Sequence, residues 1–350
     1  MSRDARAGEP AGPPLLAVEG LTKIYGRKKA VSGVSFSARR AELIGLLGPN
    51  GAGKSSTLRM IAGCLAPTAG RVRVAGFDAA EQPGPAKSRI GYLPETPPLY
   101  PDMTVREYLR FARELKKTPR GKRGAAPEDG VPGAAAKDAA AWMDGVTAAL
   151  EIGGVMPTLI RNLSRGYRQR VGIAASLAGR PALLLLDEPG SGLDPRQAAE
   201  LRLLLESLSP DMAIVVSSHD LYEISSLCTR IIIMKEGRVA ADGSPGELAR
   251  LGGGPKTELE VSGDPRLAAE ILRACAEGRP VIEKPGGEGR TGFVVHAGGA
   301  DFRARVFRAF AARGDGLSLD TLKPSETNLE DLFISLTGPD VPPPRPPEES

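Results

Sequence analysis

The sequence predicts an α/β fold built on a core parallel sheet, and three observations carry that prediction. Short apolar runs recur at "LIGLLG" (43–48), "ALLLLDE" (182–188), "MAIVVSS" (212–218) and "RIIIMKEG" (230–237). Continuous runs of this length read as strands buried on both faces. Helical patterns with legible caps lie between them, and the first run ends in a glycine-rich phosphate-loop pattern that opens a helix.

Taken in order, residues 1–14 are rich in Pro, Gly and charge, as is the tail from 339 to 350. Such segments bury too little apolar surface to offset the entropy of ordering, so both ends are expected to be disordered. Thr104 and Glu107 form a capping box that opens a helix, with Val105, Tyr108, Leu109 and Ala112 on one face. From about 118 to 137 the pattern dissolves into "TPRGKRGAAPEDGVPGAAAK", expected to be a flexible insertion. Asp194 and Pro195 supply an N-cap and a first-turn proline for a helix whose buried stripe is Leu201, Leu204, Leu205 and Leu208. A composition break at "LGGGP" (251–255) marks a domain boundary. Beyond it the expected series is strand 257–261, helix 265–276, strands 280–284 and 291–296, helix 301–313, strand 316–322 and helix 328–337. That order suits a small α+β domain of split βαβ, ferredoxin-like type.

The totals narrow the function classes. At 350 residues the chain suggests two domains, taking roughly 150 residues per domain. Its 46 basic and 42 acidic residues give +4 with the signs interspersed, which argues against nucleic acid as the main partner. Cys64, Cys228 and Cys275 are isolated from one another and lack His at metal spacing, so neither a disulfide framework nor a zinc site is indicated and the reducing cytosol fits best. No stretch approaches the ~18 consecutive apolar residues of a membrane span. Any membrane connection is expected through another chain.

The chemistry is concentrated in "GPNGAGKSS", Gly48 to Ser56. Gly48, Gly51 and Gly53 let successive backbone N–H groups of the loop, which also carries Pro49, Asn50 and Ala52, converge on phosphate oxygens. The helix N-terminus that follows adds its positive dipole end. Lys54 is expected to reach the β- and γ-phosphates and Ser55 to ligate Mg²⁺. Asp187 closes a buried strand where open α/β sheets bind ligands, placed to hold Mg²⁺ through water. Glu188 follows as a second carboxylate able to polarise an attacking water. Taken alone, these two acids are better read as a strand simply ending before a turn; the phosphate loop reverses that preference.

"LSRGYRQR" (163–170) then raises a question, because its Ser and Gly at a helix start suit an anion although the chain already holds a complete phosphate cradle. Ser164 can also simply cap its helix, and the two roles can coexist.

At this point the residues resemble a family, the nucleotide-binding subunits of ABC transporters, over about residues 15–250. "GPNGAGKS" matches Walker A, "LLLLDEP" Walker B, "SGLD" the D-loop ending at Asp194, and "VVSSHD" the switch histidine, His219. The motif beginning Leu163-Ser164 matches the signature sequence, which in the family binds the γ-phosphate of ATP seated on the opposite subunit. The resemblance therefore implies an ABC-type P-loop NTPase fold, with a mixed sheet core, an antiparallel β subdomain and a helical subdomain. It implies ATP and Mg²⁺ as ligands, Glu188 and His219 as catalytic residues, Tyr25 as the adenine-stacking residue, and Ser164 with Gly166 on the partner's phosphate. A surface-turn role for Tyr25 stays open. Glu95 stands where the family's Q-loop usually has Gln; it keeps an oxygen for Mg²⁺ or water but adds negative charge. Arg165 and Tyr167 stand where Gly and Gln are usual in the signature.

"YLPE", "LSRGYRQR" and "NLEDLFISLTG" look like the exporter-type branch, whose ATPase chains pair with separate permeases. That implies an integral-membrane permease as partner, a location on the cytoplasmic face of the cell membrane, and a second ATP-binding subunit, with a homodimer expected and a heterodimer the alternative. The rival classes are a soluble ABC-type ATPase acting on nucleic acid or an assembly complex, and a non-hydrolysing module, which Glu188 and His219 disfavour. His296, the other histidine, is expected to be a half-buried sheet residue.

Overall fold

The computed structural model describes residues 13–116, 136–251, 256–287, 289–313, 316–325 and 329–337. The expectations for residues 1–12, for the insertion over 118–135 and for the tail 339–350 lie outside them. The chain divides into two compact units, Met1–Asp242 and Gly243–Ser350.

The first unit opens with an antiparallel sheet of β1 (Leu16–Tyr25), β2 (Lys28–Ala38), β4 (Ala69–Val74) and β5 (Phe77–Asp78), ordered β2-β1-β4-β5. Between β2 and β4 the chain enters the second sheet through β3 (Leu43–Leu47) and leaves it through α1 (Lys54–Ile61). After β5 come α2 (Pro83–Ser88) and β6 (Ile90–Leu93). A helical stretch follows with α3 (Val105–Lys116), α4 (Ala136–Ala149) and α5 (Arg165–Ser176). The chain then alternates β7 (Leu183–Asp187), α6 (Pro195–Leu208), β8 (Ala213–Ser218), α7 (Leu221–Leu227), β9 (Arg230–Lys235) and β10 (Arg238–Gly243). The six-stranded order is β10-β9-β3-β8-β7-β6, with β6, β7, β8, β3 and β9 parallel. β10 joins as the return arm of a hairpin whose two turn residues, Glu236 and Gly237, both have positive φ, the geometry of a type I′ turn. The core is therefore a mixed sheet.

All four apolar runs form strands, and β3, β7 and β8 are buried at every position. That is what covering both faces of a parallel sheet demands. Leu16, Val18 and Leu21 of β1 share a core with Ile44, Leu46, Leu58, Ile61, Leu185 and Val215, so α1 is gripped between the two sheets. The caps form where the sequence indicates: Glu107 Oε2 accepts from the Thr104 N–H at 2.8 Å, and Asp194 Oδ1 accepts from the Gln197 N–H at 2.9 Å, with Gln197 completing a capping box there that the sequence reading did not include.

One correction concerns α4. Residues 136 and 137, expected to end a flexible insertion, open this helix instead. Alanine supplies the propensity, and Met143, Val146 and Leu150 share a buried face at helical spacing while Trp142 donates its indole N–H to the Leu177 carbonyl at 2.9 Å. Tertiary packing along α5 thus extends a segment whose own start looks like linker.

The second unit contains α8 (Pro245–Leu251), β11 (Lys256–Ser262), α9 (Pro265–Ala276), β12 (Val281–Pro285), β13 (Arg290–Val295), α10 (Ala300–Ala311), β14 (Ser318–Ser325) and α11 (Leu329–Thr337). Its sheet runs β12-β13-β11-β14 with every pair antiparallel. Leu259, Val261, Phe293 and Val295 pack against Ala268, Leu272, Phe302 and Val306 from α9 and α10. His296 lies half-buried just beyond β13.

Arg230 ties three strands of the first unit. Its guanidinium makes a bidentate pair with Asp242 at 2.7 Å on both bonds, and also donates to the Ser37 carbonyl at 3.0 Å and Glu42 at 3.2 Å. Bidentate geometry and partial burial make these charge-assisted bonds strong. Arg230→Met should lower unfolding free energy by about 1–3 kcal/mol, since it strands two carboxylates and a carbonyl; urea denaturation of the two proteins gives the difference.

Candidate nucleotide-binding site

A cleft of about 410 Å³ opens where β3 and β7 end. One wall is the loop between β3 and α1: Asn50, Gly51, Ala52 and Gly53 line the cleft together with Lys54, Ser55 and Ser56 of the first helical turn. Gly53 caps α1 at φ 103°, a left-handed backbone, and a side chain there would begin 2.7 Å from the Ala30 carbonyl. Gly48 is equally constrained, because a Cβ would lie 2.4 Å from the Met234 carbonyl of β9. These glycines let the loop wrap tightly enough to turn its N–H groups inward.

Lys54 is buried, and its ammonium is satisfied by the Gly48 carbonyl at 2.6 Å, the Pro49 carbonyl at 3.4 Å and Glu188 Oε1 at 3.5 Å. Gly48 and Pro49 thus act through their carbonyls rather than by lining the cleft. At the end of β7, Asp187 is fully buried; its Oδ1 accepts from Ser55 at 2.9 Å and from Ser217 at 2.6 Å. Its Oδ2 is buried without a hydrogen-bond partner, a lone-pair face that a cation or water would satisfy. The donor set of a hydroxyl and a carboxylate oxygen suits a hard cation such as Mg²⁺. Among the described residues no group of three or more His, Cys, Asp or Glu is placed to hold a metal by itself.

Glu188 sits at φ 48°, a left-handed conformation that costs a non-glycine residue about 1–2 kcal/mol. Its backbone is over-determined by neighbours: its N–H is shared between the Ser217 carbonyl and hydroxyl, each at 3.1 Å, and its carbonyl accepts from the Ser191 N–H at 3.1 Å. The side chain therefore projects into the cleft with Oε1 towards Lys54 and Oε2 at 2.9 Å from His219 Nδ1. His219 is largely exposed on the rim.

Tyr25, at the end of β1, and Glu95, in the loop after β6, also line the cleft. The tyrosine is about half exposed, with Lys23 Nζ 5.4 Å from its ring centre. Ser164, Gly166 and Asp194 are not brought there. Ser164 caps α5 through the Tyr167 N–H at 3.3 Å, Gly166 packs where a Cβ would meet Gln197 Oε1 at 2.7 Å, and Asp194 caps α6. Lining residues that sequence patterns did not single out are Lys28, Ala30 and Ser191. Ser191 opens "SGLD" and was within reach of the motif; Lys28 and Ala30 arrive only because β2 crosses behind the loop.

Behind His219, Glu223 accepts from Ser218 Oγ at 2.6 Å and lies against Gly190, where a Cβ would be 2.3 Å from Oε1. Burial raises its carboxyl above the usual range; Asp220 and Glu188 push in the same direction, while Ser218 and His219 oppose.

A phosphate loop on an α/β sheet, a buried strand-end aspartate and a glutamate bridging lysine and histidine define an ATP-binding cassette. The sequence pattern of the ABC transporter family matches residues 31–191. Over 330 residues the chain is 32% identical to the linearmycin resistance ATP-binding protein LnrL of Bacillus subtilis, covering 93% of this chain and 98% of that one. The Nod factor export ATP-binding protein I of Ralstonia nicotianae is 34% identical over 341 residues, covering 95% and 98%. The solved ATP-binding subunit of an ABC transporter superposes with a TM-score of 0.60 at 27% identity, over 68% of this chain and 92% of that one. The chain belongs to the ABC transporter family, as an ATP-binding subunit whose ATP hydrolysis is coupled to transport.

The raised carboxyl of Glu223 has a measurable consequence. A buried carboxyl with a raised pKa favours the folded state while protonated and costs stability as pH rises through the folded value. Glu223→Gln, which keeps an acceptor for Ser218, should therefore gain stability relative to the parent as pH is raised from about 4 to 7. Thermal melting of both proteins across that range tests the sign, which an unchanged difference would contradict.

Proposed function

We propose that this chain is the ATP-binding and hydrolysing subunit of an exporter, that it dimerises on ATP, and that it drives a permease carried on a separate chain. The observation that carries the catalytic part is Glu188, held with one oxygen 3.5 Å from Lys54 and the other 2.9 Å from His219. A carboxylate fixed between the phosphate-loop lysine and a rim histidine is placed to take the proton of a water attacking the γ-phosphate. His219 then contacts the γ-phosphate, Lys54 neutralises the β/γ oxygens, and loop N–H groups from Asn50 to Ser56 cradle the chain of phosphates. Mg²⁺ would be held by Ser55, and through water by Asp187 and Glu95, and would offset phosphate charge. Tyr25 stacks on the base at the outer end.

Ser164 and Gly166 serve the other subunit's nucleotide, with Asp194 in the adjoining loop. In this chain they lie outside the cleft, which supports a site completed across an interface between two such subunits. A copy of this chain is the simplest partner. Export is supported by the relatives, one named for resistance and one for export. Among the described residues no helix is long and apolar enough to cross a membrane, so the permease supplies the span and holds the subunit at the cytoplasmic face. Interspersed charge supports a partner other than nucleic acid.

The ATP-binding domain is read as spanning 15–250 and the accessory domain 255–338, although the compact units divide earlier, between Asp242 and Gly243, and so give α8 to the second. The strand order and antiparallel pairing of the second unit support a ferredoxin-like, split βαβ fold.

Lys54→Ala should abolish productive ATP binding, read by equilibrium binding of labelled nucleotide; near-normal affinity and turnover would overturn the phosphate-loop role. Glu188→Gln should bind MgATP and hydrolyse it ~10²–10⁴-fold more slowly. Light scattering should show this variant as a dimer with MgATP, and Glu188→Gln combined with Ser164→Arg as a monomer that still binds nucleotide. Equal dimerisation of the two would rule out the shared site.

A further inference from the structure

The turn that follows Glu188 is gripped from α5 at two places. Gln169, buried, donates its side-chain amide to the Pro189 carbonyl at 3.1 Å. Arg165, one helical turn earlier and on the same face, donates from Nη2 to the Ser191 hydroxyl at 3.1 Å. Gly192, at φ 80°, is what admits the guanidinium, because a Cβ there would lie 2.5 Å from Arg165 Nε. On the opposite side Gly190 admits Glu223, as described above. Gly190 thus packs against Glu223 of α7 and Gly192 against Arg165 of α5, so the turn from Pro189 to Gly192 is held from two sides, and it is closed by the Ser191 N–H on the Glu188 carbonyl.

We infer that Arg165 and Gln169 form a two-point clamp that positions Glu188, linking the start of α5 to the nucleotide cleft. Given the reading of Glu188 as the base, these are positioning residues: neither touches the cleft, but Ser191 lines it and its main chain fixes the Glu188 carbonyl. A left-handed glutamate persists only where its surroundings over-determine it. Ser217 supplies that constraint on the N–H side and the clamp supplies it on the carbonyl side. The first turn of α5 also carries Ser164 and Gly166, so any displacement of that turn is passed through Arg165 to the residue that must align a water. Arg165 supplies a reach that the glycine usual at this signature position lacks, and its substitution leaves the phosphate-binding types at 164 and 166 untouched.

The test is a double-mutant cycle on Arg165→Ala and Ser191→Ala, read as steady-state kcat and KM with equilibrium MgATP binding. Each single variant should lower kcat about tenfold, and the double variant should be no slower than either, because one hydrogen-bonded link is being removed in each case. KM and MgATP affinity should stay at parent values, and Arg165→Lys, which retains a donor, should recover most of the rate. Gln169→Met should also depress kcat, with thermal melting confirming that it is folded. An unchanged kcat in Arg165→Ala, or independent multiplication of the two effects, would overturn the clamp. So would a raised KM with loss of the ATP-bound dimer, which marks Arg165 as a phosphate contact instead. Failure of the base assignment shows separately, as full turnover in Glu188→Gln.

Discussion

A buried lysine has to be satisfied, and the site is organised around that requirement. Lys54 is 5% exposed, at the start of a helix whose dipole already disfavours a cation there. Its charge is held by two carbonyls of its own loop and by Glu188 from β7's end. For the carbonyls to turn inward the loop must fold tightly, which requires Gly48 against β9 and Gly53 against β2. For Glu188 to reach the ammonium its backbone must sit in the left-handed region, which requires Ser217 on β8. The parallel register of β3, β8 and β7 brings these together: Leu47 pairs with Ser218, and Asp187 with Ser217.

The same serine links structure and chemistry. Ser217 donates to Asp187 and accepts from the Glu188 N–H, so one hydroxyl orders both carboxylates of the strand end. Asp187 is left with one paired and one unpaired oxygen. Glu188 is left with one oxygen on a buried lysine and one on an exposed histidine. α5 closes the arrangement from outside, by Gln169 and Arg165 on the turn beyond Glu188. Within "LSRGYRQR", Ser164 caps α5 and Gly166 packs against Gln197, both away from the chain's own cleft, while Arg165 and Gln169 bond to the turn after Glu188.

Much of this was legible from local pattern. The apolar runs became β3, β7, β8 and β9 because a strand buried on both faces has little choice but to be continuously apolar. The caps at Thr104 and Asp194 were legible because a cap is a contact between residues three apart. The loop from Gly48 to Ser55 was legible because its function is a backbone shape, which glycine spacing encodes. Helix α4 was not, since its first residues read as linker and its stability comes from Met143, Val146 and the Trp142 bond to α5's end, none visible at short range. Lys28, Ala30 and Ser217 escaped for the same reason, each placed by a strand remote in sequence.

What the sequence determined by itself, then, was the inventory: which segments are strands, where helices begin, and where the glycine-rich loop and the strand-end carboxylates lie. These follow from periodicity, capping and glycine spacing, all interactions within a few residues. Only the tertiary structure decided the partners. Whether Ser164 faced the chain's own nucleotide cleft, what anchored Glu188 in a left-handed turn, which oxygen of Asp187 remained unpaired, and that Arg165 reached Ser191 all depend on strand order and on the packing of α5 against the turn after β7. Residues 26 or 30 apart meet there because a parallel sheet requires long crossovers, and local pattern carries no information about where such a crossover returns.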